Sequence, residues 1–445
     1  MDLRLVWSIM SIPSIVLYYV LGLAFCAFFL LLKWNDLRYR RKGVPPGTMG
    51  WPIFGETSGF LKQGPDFMKA KKARYGSIFK THVLGSPTII CMDPDVNKYI
   101  LLNESKGLVA GYPESMRTIL GDKNIAAVHG ALHKHIRGSL VSLVGPAAIR
   151  DHLLPKTDQF MRSFLHNWAG QTIDIQEKTK QMAFFVSMKQ IVEDVPSSFH
   201  EEFKAIFDNI VLGTISLPIK IPGTNYYRGL QTREKVIRIL KEILAKRRAS
   251  SATYDDMLDK LVRHEDVKYK LNDEELIDQI ITVLNSGYET VSTTTMMAIK
   301  YLHDHPKVLQ QLRVIFETSR LATIVNGVLR KAITDVELNG VMIPKGWRVY
   351  VYTREINYDP FLYPEPFTFN PSRWLEKGLE SHNHQMLFGA GIRMCPGKEL
   401  GIIKISVFLH YFLTKFRWEE MEGNKIVKFP RVEAPNGLNI RVAEY

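Results

Sequence analysis

Residues 388–397 read FGAGIRMCPG: three glycines, a proline, an arginine and a lone cysteine, directly before the apolar run GKELGIIKISVFLHYFLTKF (397–416). A turn in a protein core needs one or two glycines. This density lets backbone come very close to a partner while a single sulfur points at it. The Cys395 thiolate could be an iron ligand, stabilised by the N–H groups that open the following helix and by Arg393 two residues away. Gly391 and Gly397 would then let the loop lie against a macrocycle. The plain alternative is a buried core thiol, the commonest fate of free cysteine, but a core thiol does not require such a loop. The other two cysteines, Cys26 in an apolar N-terminal run and Cys91 in a strand pattern, lack that context. An odd, sparse set argues against a disulfide framework and fits a reducing compartment.

Upstream, Asn272 to about His305 carries the longest helical pattern in the chain. Asn272 and Glu275 form a capping pair, and Pro306 forbids simple continuation. About 33 residues at ~1.5 Å rise span ~50 Å, enough to cross a domain. Apolar residues on most faces predict a central, buried helix. Within it lies NSGYETVSTTT (285–295). Gly287 in a helix interior costs about 1 kcal/mol relative to alanine, so something must compensate: a flat ligand approaching the backbone, or another helix. Thr290, three residues on, and Glu289 beside it could relay protons to a bound oxygen species. Alternatively, Thr290 bonds back to its own helix. A third group joins Glu317 and Arg320 of ETSR to Arg373 of FNPSRW (369–374). Spacing of i,i+3 lets the first two meet, either as part of a buried charge-assisted network or as a solvated pair worth little.

At 445 residues with 46% hydrophobic and 23% charged residues, the composition is that of a globular protein, with a net charge of +13 and a pI near 9.4. That balance suits an anionic membrane surface or an acidic protein partner. No finger, RNA-recognition signature or concentrated basic block supports nucleic acid. Leu5–Leu32 contains no charge and is long enough to cross a bilayer. No small-residue cleavage site follows it, so an uncleaved anchor is expected. Lys33, Arg38, Arg40, Arg41 and Lys42 against Asp36 place the remainder in the cytosol by the positive-inside rule. GVPPGTMGWPIFGE (43–56) reads as a stiff, non-helical linker. Residues 77–92 predict a hairpin turning at Gly85-Ser86-Pro87, and VELNGVMIPKGWRVYVY (336–352) an Asn-Gly hairpin followed by a strand. The expected organisation is an anchor at 1–33, a basic, proline-rich hinge at 34–52 and one mainly α domain with small β-sheets at 53–445.

Taken together, these motifs resemble one family. FGAGIRMCPG resembles the heme-binding loop of cytochromes P-450, FxxGxRxCxG; SGYETVST resembles their oxygen-activating helix, and ETSR with PSRW their Glu–Arg–Arg network. The resemblance covers essentially the whole chain and implies the cytochrome P-450 fold behind one N-terminal transmembrane helix. LATIVNGVLRK (321–331), PKGWRVYVYTREINYDPFLYPEPFTFNP (344–371) and FPRVEAPNGLNIRV (429–442) look most like the plant brassinosteroid-6-oxidase (castasterone synthase) branch.

Carried over, the resemblance implies heme b with Cys395 as axial thiolate and Thr290 and Glu289 in oxygen activation and proton delivery. Arg393 would pair a heme propionate, as would Arg330. His133 and Arg137 of HKHIR occupy the family's Trp-x-x-x-Arg position, with histidine in place of tryptophan. Phe388, Gly391, Gly397 and Gly287 would frame the cofactor, and Glu317, Arg320 and Arg373 the structural network. Substrate-facing positions would be Ser115–Leu120, Leu284, Ser286, Ile324–Val328 and Asn436–Leu438. The implied partners are NADPH-cytochrome P-450 reductase, the endoplasmic reticulum membrane and a steroid substrate, with oxidation at C-6 of 6-deoxo brassinosteroids as the reaction. Two rivals are another sterol or diterpenoid as substrate, and a non-catalytic heme-binding copy. The second arises because the family places an extra helix and loop between HDHPKVLQQLR (303–313) and ETSR. Here Val314 follows Arg313 at once, which implies lost packing, poorer heme retention or weak coupling to the reductase.

Overall fold

The computed structural model describes residues 3–104, 106–193, 197–263, 270–306, 313–375 and 386–445. Helix α1 (Leu3–Arg38) contains the apolar run, and its residues 16–31 are exposed throughout. It is long and apolar enough to cross a membrane. The helix runs five residues into the expected hinge, and its end is docked. Met49 N donates to Asp36 Oδ1 (2.9 Å) and Asn35 Nδ2 to Met49 O (3.3 Å). Proline carbonyls accept without a competing N–H: Lys80 N donates to Pro46 O (2.8 Å). The hinge therefore packs on the domain instead of spacing it from the anchor.

Strands β1 (Ile78–Val83) and β2 (Ser86–Cys91) form the first hairpin. Its turn is Leu84-Gly85, both at positive φ (52° and 73°), one residue earlier than expected. Ser86 and Pro87 open β2 instead, where proline's missing N–H is tolerated. β2 runs parallel to β8 (Arg348–Tyr352); β8 is antiparallel to β5 (Gly327–Ala332), and β5 to β3 (Leu108–Ala110). A second sheet orders β4 (Thr172–Asp174), β10 (Asn439–Glu444) and β9 (Phe416–Glu420). β6 (Val336–Leu338) and β7 (Val341–Ile343) turn at Asn339-Gly340, as the sequence predicts.

The helices that position the site are α2 (Pro94–Leu102), α3 (Glu114–Leu120), α4 (Gly130–Leu143), α5 (Ile175–Ile191), α6 (Ser197–Thr214), α7 (Asn225–Ala249), α8 (Asp273–Asp304), α9 (Val314–Ala322) and α10 (Lys398–Lys415). The long helix α8 is closed by the expected capping box, in which Glu275 N donates to Asn272 Oδ1 (2.9 Å) and Asn272 N to Glu275 Oε2 (3.0 Å). It packs along α5 and also meets α6, α7, α9 and α10. Its first half contributes Ile281 and Leu284 to a core with Ile119, Phe184, Phe207 and Leu240. Its second half contributes Met296 and Ile299 to another core with Ile315, Phe408 and Phe412. One rod thus belongs to both halves of the protein.

Glu317, on α9, is fully buried. Its Oε1 accepts from Arg320 Nη2 (2.7 Å), Arg373 Nε (3.0 Å) and Asn370 N (3.1 Å). Its Oε2 accepts from Arg320 Nε (3.0 Å) and Trp374 Nε1 (2.8 Å). Arg320 Nη1 then donates to the carbonyls of Asn357 and Pro366, both at 2.7 Å. Sequence spacing brings the two arginines into play but gives no sign of Trp374. α9 begins at the Arg313–Val314 junction itself. Arg313 Nε donates to Trp374 O (2.9 Å), and Val314 and Ile315 are buried, so the described side of the junction is packed. The preceding residues 307–312 lie outside the described set.

Removing one member of a buried charge network costs about 3–5 kcal/mol, because its partners stay buried and unpaired. Glu317→Ala should therefore lose that much stability in denaturant unfolding. Asp151→Ala, which breaks the exposed pair with Arg150, should leave the midpoint where it is.

Candidate active site

The FGAGIRMCPG loop closes on itself. Cys395 N donates to Phe388 O (2.8 Å) and Met394 N to Gly391 O (3.1 Å). Gly389 and Gly391 both take positive φ (75° and 66°), conformations that side chains resist. A Cβ on Gly391 would lie 2.5 Å from Leu101 O, so this glycine seats the loop on the end of α2. Over Gly397, by contrast, a Cβ would meet nothing within 4 Å. Phe388 packs edge-on against Phe316 (6.3 Å between centroids), with Lys398 Nζ 5.6 Å from the Phe388 ring. Phe316 lies on α9 beside Glu317, so the loop is fixed to the helix that carries the charge network.

Cys395 is accessible although protein surrounds it. Burial raises its thiol pKa, while the Gly397 N–H, Arg137 and Lys398 oppose the rise. Cys91 is a different thiol: buried in the β-sheet core, it is pushed up to about 12. Of the three cysteines, Cys395 alone sits where a metal could reach it with cationic groups at hand; Cys26 lies exposed on α1.

Four expected cofactor-binding residues, Arg393, Arg330, His133 and Arg137, are electrostatically coupled to one another or to Cys395. α4 presents His133 and Arg137 one turn apart on one face. Burial, then the positive Arg393, lowers the His133 pKa to about 4, so the ring is neutral near pH 7. His133 Nε2 and Arg330 Nε are buried without a hydrogen-bond partner. Arg393 differs from the expectation. Its Nε donates to Glu104 Oε1 (2.8 Å), Nη1 to Ile125 O (2.7 Å) and Nη2 to Val128 O (2.6 Å). Protein acceptors take most of its N–H groups. Arg330 Nε and His133 Nε2 are left without a hydrogen bond, and no spacing in the sequence points to Glu104.

Arginines gathered with a neutral histidine beside an accessible thiol, with Arg330 Nε and His133 Nε2 making no hydrogen bond, fit an anionic macrocycle such as heme b. Cys395 would hold the iron, and Arg330, His133 and Arg137 the carboxylate edge.

On α8, Ser286 and Thr290 are exposed although the helix is otherwise largely buried, and they lie one turn apart. Together they form a hydroxyl-bearing window on the rod. Thr290 Oγ1 donates to Ser286 O (2.8 Å), the local bond that the sequence allowed. Glu289 departs from this face. It pairs with Arg431 (3.3 Å) in a cleft with Lys180 and Thr293, and burial raises its carboxyl pKa. A Cβ on Gly287 would meet Ser187 Oγ of α5 at 3.4 Å. The same Ser187 Oγ accepts from Lys404 Nζ of α10 (2.9 Å), a lysine whose burial lowers its pKa to about 7. Gly287 thus serves the approach of two helices.

Of the expected substrate-facing positions, Ser286 and Val325 are exposed, as is Asn436. Leu284, Ile119, Leu120 and Leu438 are core residues, and Ser115 Oγ donates to Thr214 O (3.0 Å).

A sequence model of the family described as "Cytochrome P-450" matches residues 45–314 and 312–438, two stretches that overlap at 312–314. A "Cytochrome P-450 85A" of Phaseolus vulgaris is 59% identical over 455 residues, covering 96% of this chain and 98% of that protein. The alignment is longer than the chain itself, so the relative carries residues with no counterpart here. A "3beta,22alpha-dihydroxysteroid 3-dehydrogenase" of Arabidopsis thaliana is 34% identical, covering 92% of this chain and 96% of that protein. Among solved structures, the retinoic-acid-bound cyanobacterial CYP120A1 superposes with a TM-score of 0.83 at 27% identity, covering 90% of this chain and 99% of that one.

The folded pKa of His133 lies below its ordinary 6.5. Between about 6.5 and 4 the unfolded chain binds the proton and the folded one does not. Stability is therefore full above pH 6.5 and falls as pH drops toward 4. Thermal midpoints taken between pH 7 and 4.5 should fall less steeply in His133→Phe than in the natural chain.

Proposed function

The chain belongs to the cytochrome P-450 family, and on that footing we propose that it oxidises C-6 of 6-deoxo brassinosteroids, converting 6-deoxocastasterone to castasterone. It is a monooxygenase, an oxidoreductase whose hard chemistry is carried by a heme. The observation that carries the site assignment is the accessible Cys395 sulfur beside buried arginines and the neutral His133, with Arg330 Nε and His133 Nε2 making no hydrogen bond. The substrate class rests on near-full-length identity to an 85A protein and on a more distant relative named for a steroid.

When bound, the heme supplies dioxygen activation, driven by electrons from NADPH through NADPH-cytochrome P-450 reductase and by the electron push of a thiolate ligand. The chain's own residues do the rest. Cys395 holds the iron and its loop stays fixed to α2 and α9. Arg330, His133 and Arg137 bind the carboxylate edge. The Thr290 hydroxyl offers a proton beside the reacting centre. The Glu289 carboxyl, its pKa raised by burial, passes protons inward from the cleft when its contact with Arg431 loosens. Ser286 and Val325 contact the steroid.

The basic residues after the apolar run orient α1 with the domain on the cytosolic face of the endoplasmic reticulum membrane. The exposed isoleucines Ile215, Ile219 and Ile221 between α6 and α7 support contact with the bilayer. The shortened connection at Arg313–Val314 leaves the heme loop and the Glu317 network in place; its cost falls on coupling to the reductase.

The first measurement is absorption of the reduced, carbon-monoxide-bound chain made in a eukaryotic membrane. A strongly red-shifted Soret band is expected, and Cys395→Ala should abolish it; a variant that kept the band would overturn the ligand assignment. With reductase and NADPH, a sterol and diterpenoid panel then tests the substrate. Consumption of 6-deoxocastasterone with castasterone formed is the expected result. Turnover of diterpenoids alone would sink the steroid reading, and an intact band without any turnover would make the chain a non-catalytic heme binder.

A further inference from the structure

Arg393 and Arg330 come from distant parts of the chain, and both converge on one carboxylate, Glu104. We propose that Glu104 is a positioning residue for the cofactor: it fixes the direction of these arginines and sets the charge that faces the heme. The proposal rests on the heme site described above and deepens it.

Glu104 follows α2, at the point where Leu101 O seats Gly391 of the cysteine loop. Two residues past that contact the loop reaches Arg393, whose Nε and Nη2 lie 2.8 and 2.7 Å from Glu104 Oε1. After Glu104 the chain enters β3, and Ala110 of β3 pairs with Arg330 of β5. The sheet register thus brings the second arginine to the same carboxylate from the other side. Arg330 Nε lies 3.4 Å from Glu104 Oε2. Neither of those two atoms makes a hydrogen bond, although both are buried. The Glu104 side chain is only 3% exposed and that of Arg330 only 2%.

A carboxylate that served packing alone would be saturated, because a buried unpaired oxygen is costly. Glu104 is saturated on one oxygen only. Oε1 locks Arg393, which also grips the chain before α4 through Ile125 O and Val128 O. Oε2 attracts Arg330 by charge without a hydrogen bond to Nε, and Nη1 donates to Leu329 O (3.3 Å), which leaves Nη2 for an anionic ligand. Glu104 also offsets one of the three charges of Arg393, Arg330 and Arg137, while His133 is neutral near pH 7. Without it the arginines repel one another, and an iron nearby is surrounded by more positive charge, which favours its reduced state.

The test compares the full-length natural chain with E104Q, which keeps shape and loses charge, and E104D, which keeps charge and loses reach. Three quantities are read: the band of the reduced carbon-monoxide complex, the heme reduction potential, and the rate of heme transfer to apomyoglobin. E104Q should keep the thiolate band, shift the potential upward and lose heme on the order of tenfold faster, the loss expected for one charge-assisted contact. E104D should hold the potential near the natural value and still lose heme faster. Natural potential and natural heme loss in E104Q would overturn the proposal and leave Glu104 an ordinary buried ion pair. If E104Q is recovered only as a heme-free aggregate, E104D decides: faster heme loss supports the role and an unchanged rate overturns it. A natural chain without the thiolate band would overturn the heme site itself, and the role of Glu104 with it.

Discussion

A carboxylate with no exposed surface must find its whole solvation shell inside the protein, and Glu317 is such a carboxylate. Two arginines, an indole N–H and a backbone N–H supply it. The arginines in turn spend their remaining donors on carbonyls at Asn357, Pro364 and Pro366. A segment with little regular structure is thereby wound onto one short helix. That helix reaches the cysteine loop through Phe316 and Phe388. The loop is therefore tied to the charge network through one aromatic contact. Replacing such a network with apolar groups can be neutral for stability, so its use here is better described as geometry than as strength.

The parts of this protein legible in the sequence are those set by local chemistry. The cap of α8, the Asn339-Gly340 turn and the glycine-rich cysteine loop each follow from a few adjacent residues. The first hairpin turns one residue early, with Leu84 and Gly85 at positive φ and Pro87 paired within a strand. Arg393 was legible as a cofactor-facing cation only through resemblance. Its true neighbours, Glu104 and two carbonyls before α4, lie more than 260 residues away in sequence, and no periodicity connects them. Trp374 and Lys404 were missed for the same reason: an indole N–H or an ammonium in an apolar run looks like any other core residue until its partner is known.

The long helix shows how one element can be both core and active surface. Most of α8 is buried by α5, α10 and the flanking helices, yet Ser286 and Thr290 remain accessible. Gly287 lets α5 approach from another side, where Ser187 meets the ammonium of Lys404. Glu289 faces a third direction, toward Arg431. Successive residues of a helix point about 100° apart, so four neighbouring positions serve a hydroxyl window, a helix contact, a core tyrosine and an acid cleft. Any insertion in this turn would exchange those assignments.

The end of α1 is folded onto the domain through Asn35, Asp36 and Met49. A slack tether would only keep an enzyme near a membrane. A rigid one turns the span into a lever: where α1 lies in a bilayer, its tilt becomes the tilt of the whole catalytic body. Bilayer thickness would then bear on which face of the domain meets the lipid.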